Sequence, residues 1–133
     1  MKSAFALAEE PLEEVLPQIR VGLPAQMFEQ VASSLGLSTT ALAEKLGIAR
    51  RTLTRKLGSG QPLSKEASEK ILRVARVRNL AAELFKTDEA ISQWMFKPDA
   101  ALGEAAPIDL LDTDVGAREV EDLLRALAHG QFV

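Results

Sequence analysis

STTALAEKLGIARRTLTRKLG, residues 38–58, divides into two short apolar-striped segments on either side of a glycine. Leu42 and Leu46 are four apart on the first segment, and Leu53 and Leu57 four apart on the second. That spacing puts each pair on one face of a helix. Gly47 stands where a sharp turn needs a residue that tolerates positive φ. Ile48 is placed to plug the angle between the helices, and Ala43 is small enough to let their axes approach. The pattern predicts a helix-turn-helix, in which the second helix enters the major groove of DNA.

Charge agrees with that reading. With Leu53 and Leu57 facing inward, Arg51 and Arg55 point nearly the opposite way, flanked by Thr52 and Thr54. Arg50 and Arg51 fall in the first turn of the second helix, where the macrodipole disfavours cations. A phosphate or a guanine edge would resolve the mismatch. Arg51, Thr52, Thr54 and Arg55 are therefore candidate base or phosphate contacts, with Arg50 and Lys56 on the DNA backbone. The plainer reading is a helical hairpin with a solvated basic face. From Glu44 to Arg78 ten bases meet three acids, a local charge of +7 in a chain whose net charge is −3. The remaining residues therefore carry −10, and a basic middle between acidic ends implies two different surfaces.

A length of 133 residues suits one domain, or two small ones sharing a core. With 47% apolar residues the chain is able to bury such a core. The absence of cysteine excludes disulfides and cysteine-based zinc sites and fits a reducing compartment. No apolar run reaches the length of a membrane span, and Glu9 and Glu10 argue against a signal peptide. A soluble, cytoplasmic protein with no membrane partner is expected.

Residues 1–20 read as a mobile arm with a short helix, because Pro11 and Pro17 interrupt the helical spacing of Leu12, Val15, Leu16 and Ile19. Pro24 should open a helix that buries Phe28, Val31, Ala32 and Leu35 and stops at Gly36. It would complete a DNA-binding domain over residues 21–63. Ser64 caps a long helix reaching about Phe85, so residues 64–86 form a connecting helix. Its Arg73, Arg76 and Arg78 either reach phosphate or form a solvated face. Residues 87–133 form a second, small helical unit. Thr87 or Asp88 caps a helix carrying Ile91, Trp94 and Met95, which ends before Pro98. Residues 99–106 are an irregular connection, and Pro107 opens a short helical turn. Thr113 or Asp114 caps a last helix with Val120, Leu123, Leu124 and Leu127 inward, ended by His129 and Gly130. No segment has strand character, so the fold class is all-α: a helix-turn-helix half, then a small helical half.

Little in the chain suggests catalysis. Asp109, Asp112 and Asp114 lack the oxygen spacing and glycine of a calcium loop, and acids belong at helix starts anyway. His129 is the single histidine and belongs to no triad motif. No glycine-rich phosphate loop is present. An enzyme is disfavoured, and no cofactor or metal is expected. Trp94 reads as core before ligand site, while Phe96, beside Lys97 and Pro98 at a helix end, is a better protein contact. Phe132 and Val133 either fold back onto their own domain or enter a partner.

Over about residues 19–133 the chain resembles antitoxins of the Xre/MbcA/ParS type, in particular those paired with RES-domain toxins. The runs IRVGLP, ALAEKLGIARRTLTRK and LSKEASEKILRVARV carry the N-terminal part. WMFKPDAALGEAAPIDLL and GAREVEDLLRALAHGQFV carry the C-terminal part, and this ordered set is the more specific. Two positions depart from the pattern. Glu104 follows Gly103 where the family often has paired glycines, and Ala49 replaces a capping serine worth about 1 kcal/mol. The resemblance implies a homodimer that represses its own operon by binding operator DNA and neutralises a cognate RES-domain toxin, a NAD-degrading enzyme. In relatives the toxin is ADP-ribosyltransferase-like. Residues 87–133 are then the toxin-binding and dimerisation domain, with Trp94, Phe96 and the tail of His129, Gly130, Gln131, Phe132 and Val133 as the expected toxin contacts. A stand-alone dimeric helix-turn-helix repressor is the alternative.

Overall fold

The computed structural model of the chain describes residues 2–130. Among them eight α-helices run in the order α1 Ala4–Leu7, α2 Leu12–Val21, α3 Gln26–Ser34, α4 Thr39–Leu46, α5 Arg50–Ser59, α6 Lys65–Leu84, α7 Asp88–Phe96 and α8 Asp114–Ala128. Two 3₁₀ turns, Ala100–Leu102 and Pro107–Leu110, bridge α7 and α8. The described residues include no strand, only an isolated bridge between Asp99 and Ala105. The fold is all-α, as expected.

Helix α6 is the axis of the molecule. Ser64 starts it, its hydroxyl accepting from the Ala67 amide at 3.1 Å. Ile71, Val74, Ala75, Val77 and Ala81 are fully buried along it. Helices α1, α2 and α3 pack on it from the N-terminal half, and α7 and α8 from the C-terminal half. Buried side chains of both halves join in one hydrophobic cluster. A helix expected to connect two units is thus the core of both.

Its arginines show why. Arg76 holds Glu121 of α8 with two hydrogen bonds, at 2.8 and 3.2 Å. Arg73 donates to the Leu111 carbonyl at 3.1 Å, satisfying a main-chain group at the end of a turn. Arg78 reaches Asp88, in the first turn of α7, at 2.7 Å. All three bases therefore tie α6 to its neighbours rather than to a phosphate.

The expectation of a mobile arm at the start of the chain is corrected. Ala4 and Leu7 of α1 are buried, at 0% and 1% exposed. The Asn79 amide donates to the Phe5 carbonyl at 2.9 Å, and the Arg78 guanidinium lies 5.2 Å from the Phe5 ring centroid. Helix α2 also runs through Pro17 instead of breaking there. Proline at that position forfeits one main-chain bond, to the Glu13 carbonyl, and its ring is exposed. Helix α3 begins at Gln26, two residues after Pro24, which instead forms the turn that leads in. Phe28, Val31, Ala32 and Leu35 are buried as the spacing required.

Gly22 makes the junction of α2 and α3 possible. Its φ is +107°, and a Cβ there would run into the Leu63 carbonyl. The close approach lets Leu63 donate to the Leu23 carbonyl at 2.8 Å and Leu23 to the buried Ser68 hydroxyl at 2.9 Å. These two bonds pin the loop to the start of α6.

Candidate functional site

The α4–α5 pair is built by local chemistry. The Ser38 hydroxyl accepts from the Ala41 amide at 3.0 Å and starts α4. Gly47 ends it in the left-handed region at φ +68°, and the Ile48 amide returns to the Ala43 carbonyl at 2.9 Å. Leu42, Ala43, Leu46 and Leu53 are buried, while Ile48 and Leu57 are half-buried against the same cluster. Ala49 precedes α5 without a side-chain cap, leaving the first amides of α5 to solvent or a ligand.

The six residues singled out for DNA do not share one face. Arg50, Arg51, Thr54 and Arg55 line a single open groove. Thr52 and Lys56 line a separate cleft of about 200 Å³ between α5 and the start of α6, floored by Leu53, Leu63 and Ala67. The groove holds one residue that sequence reasoning missed: Thr40, in the first turn of α4. Its signal was its place just after the Ser38 cap, at the start of α4.

Electrostatics sharpen the contrast. Arg50 is 3.6 Å from Glu44, with both side chains exposed, a pair worth little in water. Arg51 and Arg55 meet no carboxylate within ion-pair distance among the described residues. Lys45 and Lys70 are held within the chain, donating to Asp109 at 2.7 Å and to the Leu46 carbonyl at 2.8 Å. Arg51 and Arg55 thus leave unpaired positive charge on one side of α5, where an anionic partner would meet it.

In the C-terminal half, the Thr87 hydroxyl starts α7 by accepting from Ala90 at 3.1 Å, and Ile91 and Met95 are buried. Trp94 is half-buried and packs against Phe85, with ring centroids 5.8 Å apart and the planes tilted by 32°. Phe96 is half-buried at the end of α7. His129 and Gly130 are exposed at the end of α8, on a different element from Trp94 and Phe96. Gln131, Phe132 and Val133 lie outside the described residues. Sequence reasoning overlooked a groove of about 260 Å³ formed by Ala101 against Glu119, Asp122, Leu123 and Ala126 of α8. Two of the three acids near the start of α8 have partners: Asp109 bonds Lys45, and Asp114 lies 2.9 Å from Arg118. Beside them Gly103 and Glu104 both adopt positive φ, +67° and +68°. The second is costly for a residue with a Cβ.

Comparison with known proteins finds two family domains that meet within α6. Residues 14–76 match the antitoxin Xre-like helix-turn-helix domain, and residues 80–130 match the antitoxin Xre/MbcA/ParS C-terminal toxin-binding domain. The chain is 32% identical to the protein named Antitoxin Xre of Yersinia enterocolitica, over 89% of this chain and 80% of that one. It is 31% identical to the Prs ADP-ribosylating antitoxin of a Sphingobium species, over 86% of this chain and 77% of that one. It is 29% identical to Antitoxin Xre of Photorhabdus laumondii, over 82% and 74% respectively. No helix among the described residues is long and apolar enough to cross a membrane.

Proposed function

Because the chain belongs to the Xre/MbcA/ParS antitoxin family, we propose that it neutralises a RES-type, NAD-degrading toxin and, as a homodimer, represses its own operon. The observation that carries the DNA half is the groove of Arg50, Arg51, Thr54 and Arg55, whose central arginines lack acidic partners among the described residues. In this reading Arg51, Thr54 and Arg55 meet base edges or phosphates, Arg50 and Thr40 the backbone, and Thr52 and Lys56 a neighbouring phosphate from their own cleft. DNA recognition falls to residues 21–63 and toxin binding to residues 87–133. Operator DNA and NAD place this work in the cytoplasm.

Trp94, Phe96 and the segment from His129 to Val133 form the proposed toxin-facing set. The tail carries an aromatic residue just after a helix-ending glycine, and an aromatic is suited to an apolar cleft such as a substrate pocket. The resemblance of the C-terminal motifs to the RES-paired group supports the choice of toxin. The test is co-expression with the product of the adjacent gene, followed by assay of NAD in the purified complex and in the freed toxin. The freed toxin should consume NAD, and equimolar antitoxin should stop it. Deleting Phe132 and Val133 should weaken that inhibition while leaving the melting temperature nearly unchanged. A freed toxin that transfers ADP-ribose to protein would replace the NAD-degrading reading by one like the Sphingobium relative's name. Failure of any partner to co-purify would favour a stand-alone repressor.

A further inference from the structure

We infer that Asp109, in the C-terminal half, is a positioning residue for DNA recognition: through Lys45 it sets the angle at which α4 presents the basic groove. The inference rests on the DNA reading above and adds to it a residue from outside residues 21–63. Asp109 Oδ1 accepts from Lys45 Nζ at 2.7 Å, across 64 positions of sequence. Helix α5 packs chiefly on α4, and α4 packs on α3 and on the 3₁₀ turn Pro107–Leu110 that carries Asp109. That turn is a firm base. Pro107, Ile108 and Leu111 are buried, Arg73 holds the Leu111 carbonyl at 3.1 Å, and the turn packs on both α7 and α8.

Helix α4 therefore works at both of its sides. Thr40 lines the basic groove with Arg50, Arg51, Thr54 and Arg55. Lys45 comes five residues later, about 140° round the helix, and so leaves α4 away from that groove. The fully buried Leu42, Ala43 and Leu46 are the pivot between them. Lys70 anchors the end of α4 by donating to the Leu46 carbonyl at 2.8 Å. A helical carbonyl points along the axis, so this bond fixes the end of α4 and leaves its rotation to the tie at Lys45. Turning α4 would carry Thr40 and α5 with it. Charge alone predicts the opposite role for Asp109. An acid repels phosphate, so removing one should tighten binding to DNA. Positioning predicts that removing Asp109 weakens it. Asp112 is the control, an exposed acid three residues on with no ion-pair partner among the described residues.

The test is fluorescence anisotropy of a labelled duplex from upstream of the gene, titrated with the full chain at fixed salt, with thermal melts to show that each variant is folded. Asp109→Ala should weaken binding roughly two- to fivefold, the reach of an exposed ion pair that biases one orientation. Its melting temperature should stay nearly unchanged. Asp112→Ala should bind as wild type or more tightly. Lys45→Asp should weaken binding at least as much as Asp109→Ala. Combining Lys45→Asp with Asp109→Lys rebuilds the pair in reverse and should recover most of the loss. Asp109→Ala that binds as tightly as wild type, or a reversed pair no better than Lys45→Asp alone, would overturn the inference and leave the DNA reading intact. A wild-type chain that binds the duplex without salt dependence, or not at all, would overturn both. Wild-type DNA binding by Asp109→Ala together with weakened inhibition of the toxin would overturn the inference by giving the acid to the toxin.

Discussion

Gly116→Ala sets two effects of opposite sign against each other, and the structure decides between them. Gly116 lies in the first turn of α8, where replacing glycine by alanine gains up to about 1 kcal/mol in a free helix. Here a Cβ would strike the Leu110 carbonyl oxygen, with the Leu110 carbonyl carbon and the Thr113 hydroxyl each only 3.0 Å away. Two of the three atoms are main chain and cannot swing aside. The third accepts from the Gly116 amide at 3.0 Å and caps the helix. Relieving the clash means shifting the start of α8, an overpacking cost of about 1–3 kcal/mol. Loss of the cap adds about 1 kcal/mol. The net expectation is destabilisation by about 1–3 kcal/mol, a drop of roughly 5–10 °C in melting temperature for a domain of this size. Gly58 is the internal control. It is also helical, near the end of α5, and a Cβ there meets nothing within 4 Å. Gly58→Ala should raise stability by about 0.4–1 kcal/mol. Urea and thermal unfolding of both variants would read the signs. If both substitutions stabilised, the packing of α8 on the preceding turn as described here would be wrong.

Glu104→Gly should stabilise the protein by about 1 kcal/mol, because it relieves a side chain held at φ +68°; no gain in a urea titration would refute the strain. Arg51→Ala and Arg55→Ala should each weaken binding to the DNA upstream of the gene without lowering the melting temperature, and wild-type affinity should fall about a thousandfold from 50 to 200 mM salt if six phosphates are neutralised. Salt-independent gel shifts would count against the groove. Residues 64–133 alone should not fold to a native-like melt, since α6 would lose α1, α2 and α3 at once; a cooperative transition by circular dichroism would contradict the single shared core.

What could be read in advance was what neighbouring residues determine. The Ser38 cap, the Gly47 turn, the two leucine pairs and the missing cap at Ala49 are all interactions within a few positions. The same holds for Thr87 and Thr113 as helix starts. Periodicity cannot report a partner far along the chain. Nothing near Phe5 announces Asn79, 74 residues on, and nothing near Arg76 announces Glu121, 45 residues on. Hence spacing alone gives a buried first helix the look of an arm and leaves structural arginines open to a phosphate role. The DNA candidates were legible as a set but not in their division. Thr52 and Lys56 part from Arg51 and Arg55 only because the start of α6 fills one side of α5.

The docking of α1 on the middle of α6 also sets an order of events during synthesis. The first matched domain ends at residue 76 and the second begins at residue 80, and α1 fastens between them, at Arg78 and Asn79. Helix α1 thus waits for a segment made more than seventy residues later. Lys45 likewise waits for Asp109, 64 residues on. Closures of that length slow an otherwise local helical bundle. The N-terminal half is therefore completed late, after most of the chain has left the ribosome. A nascent chain stalled before α6 would expose the apolar faces of α1 and α3 and be open to proteolysis.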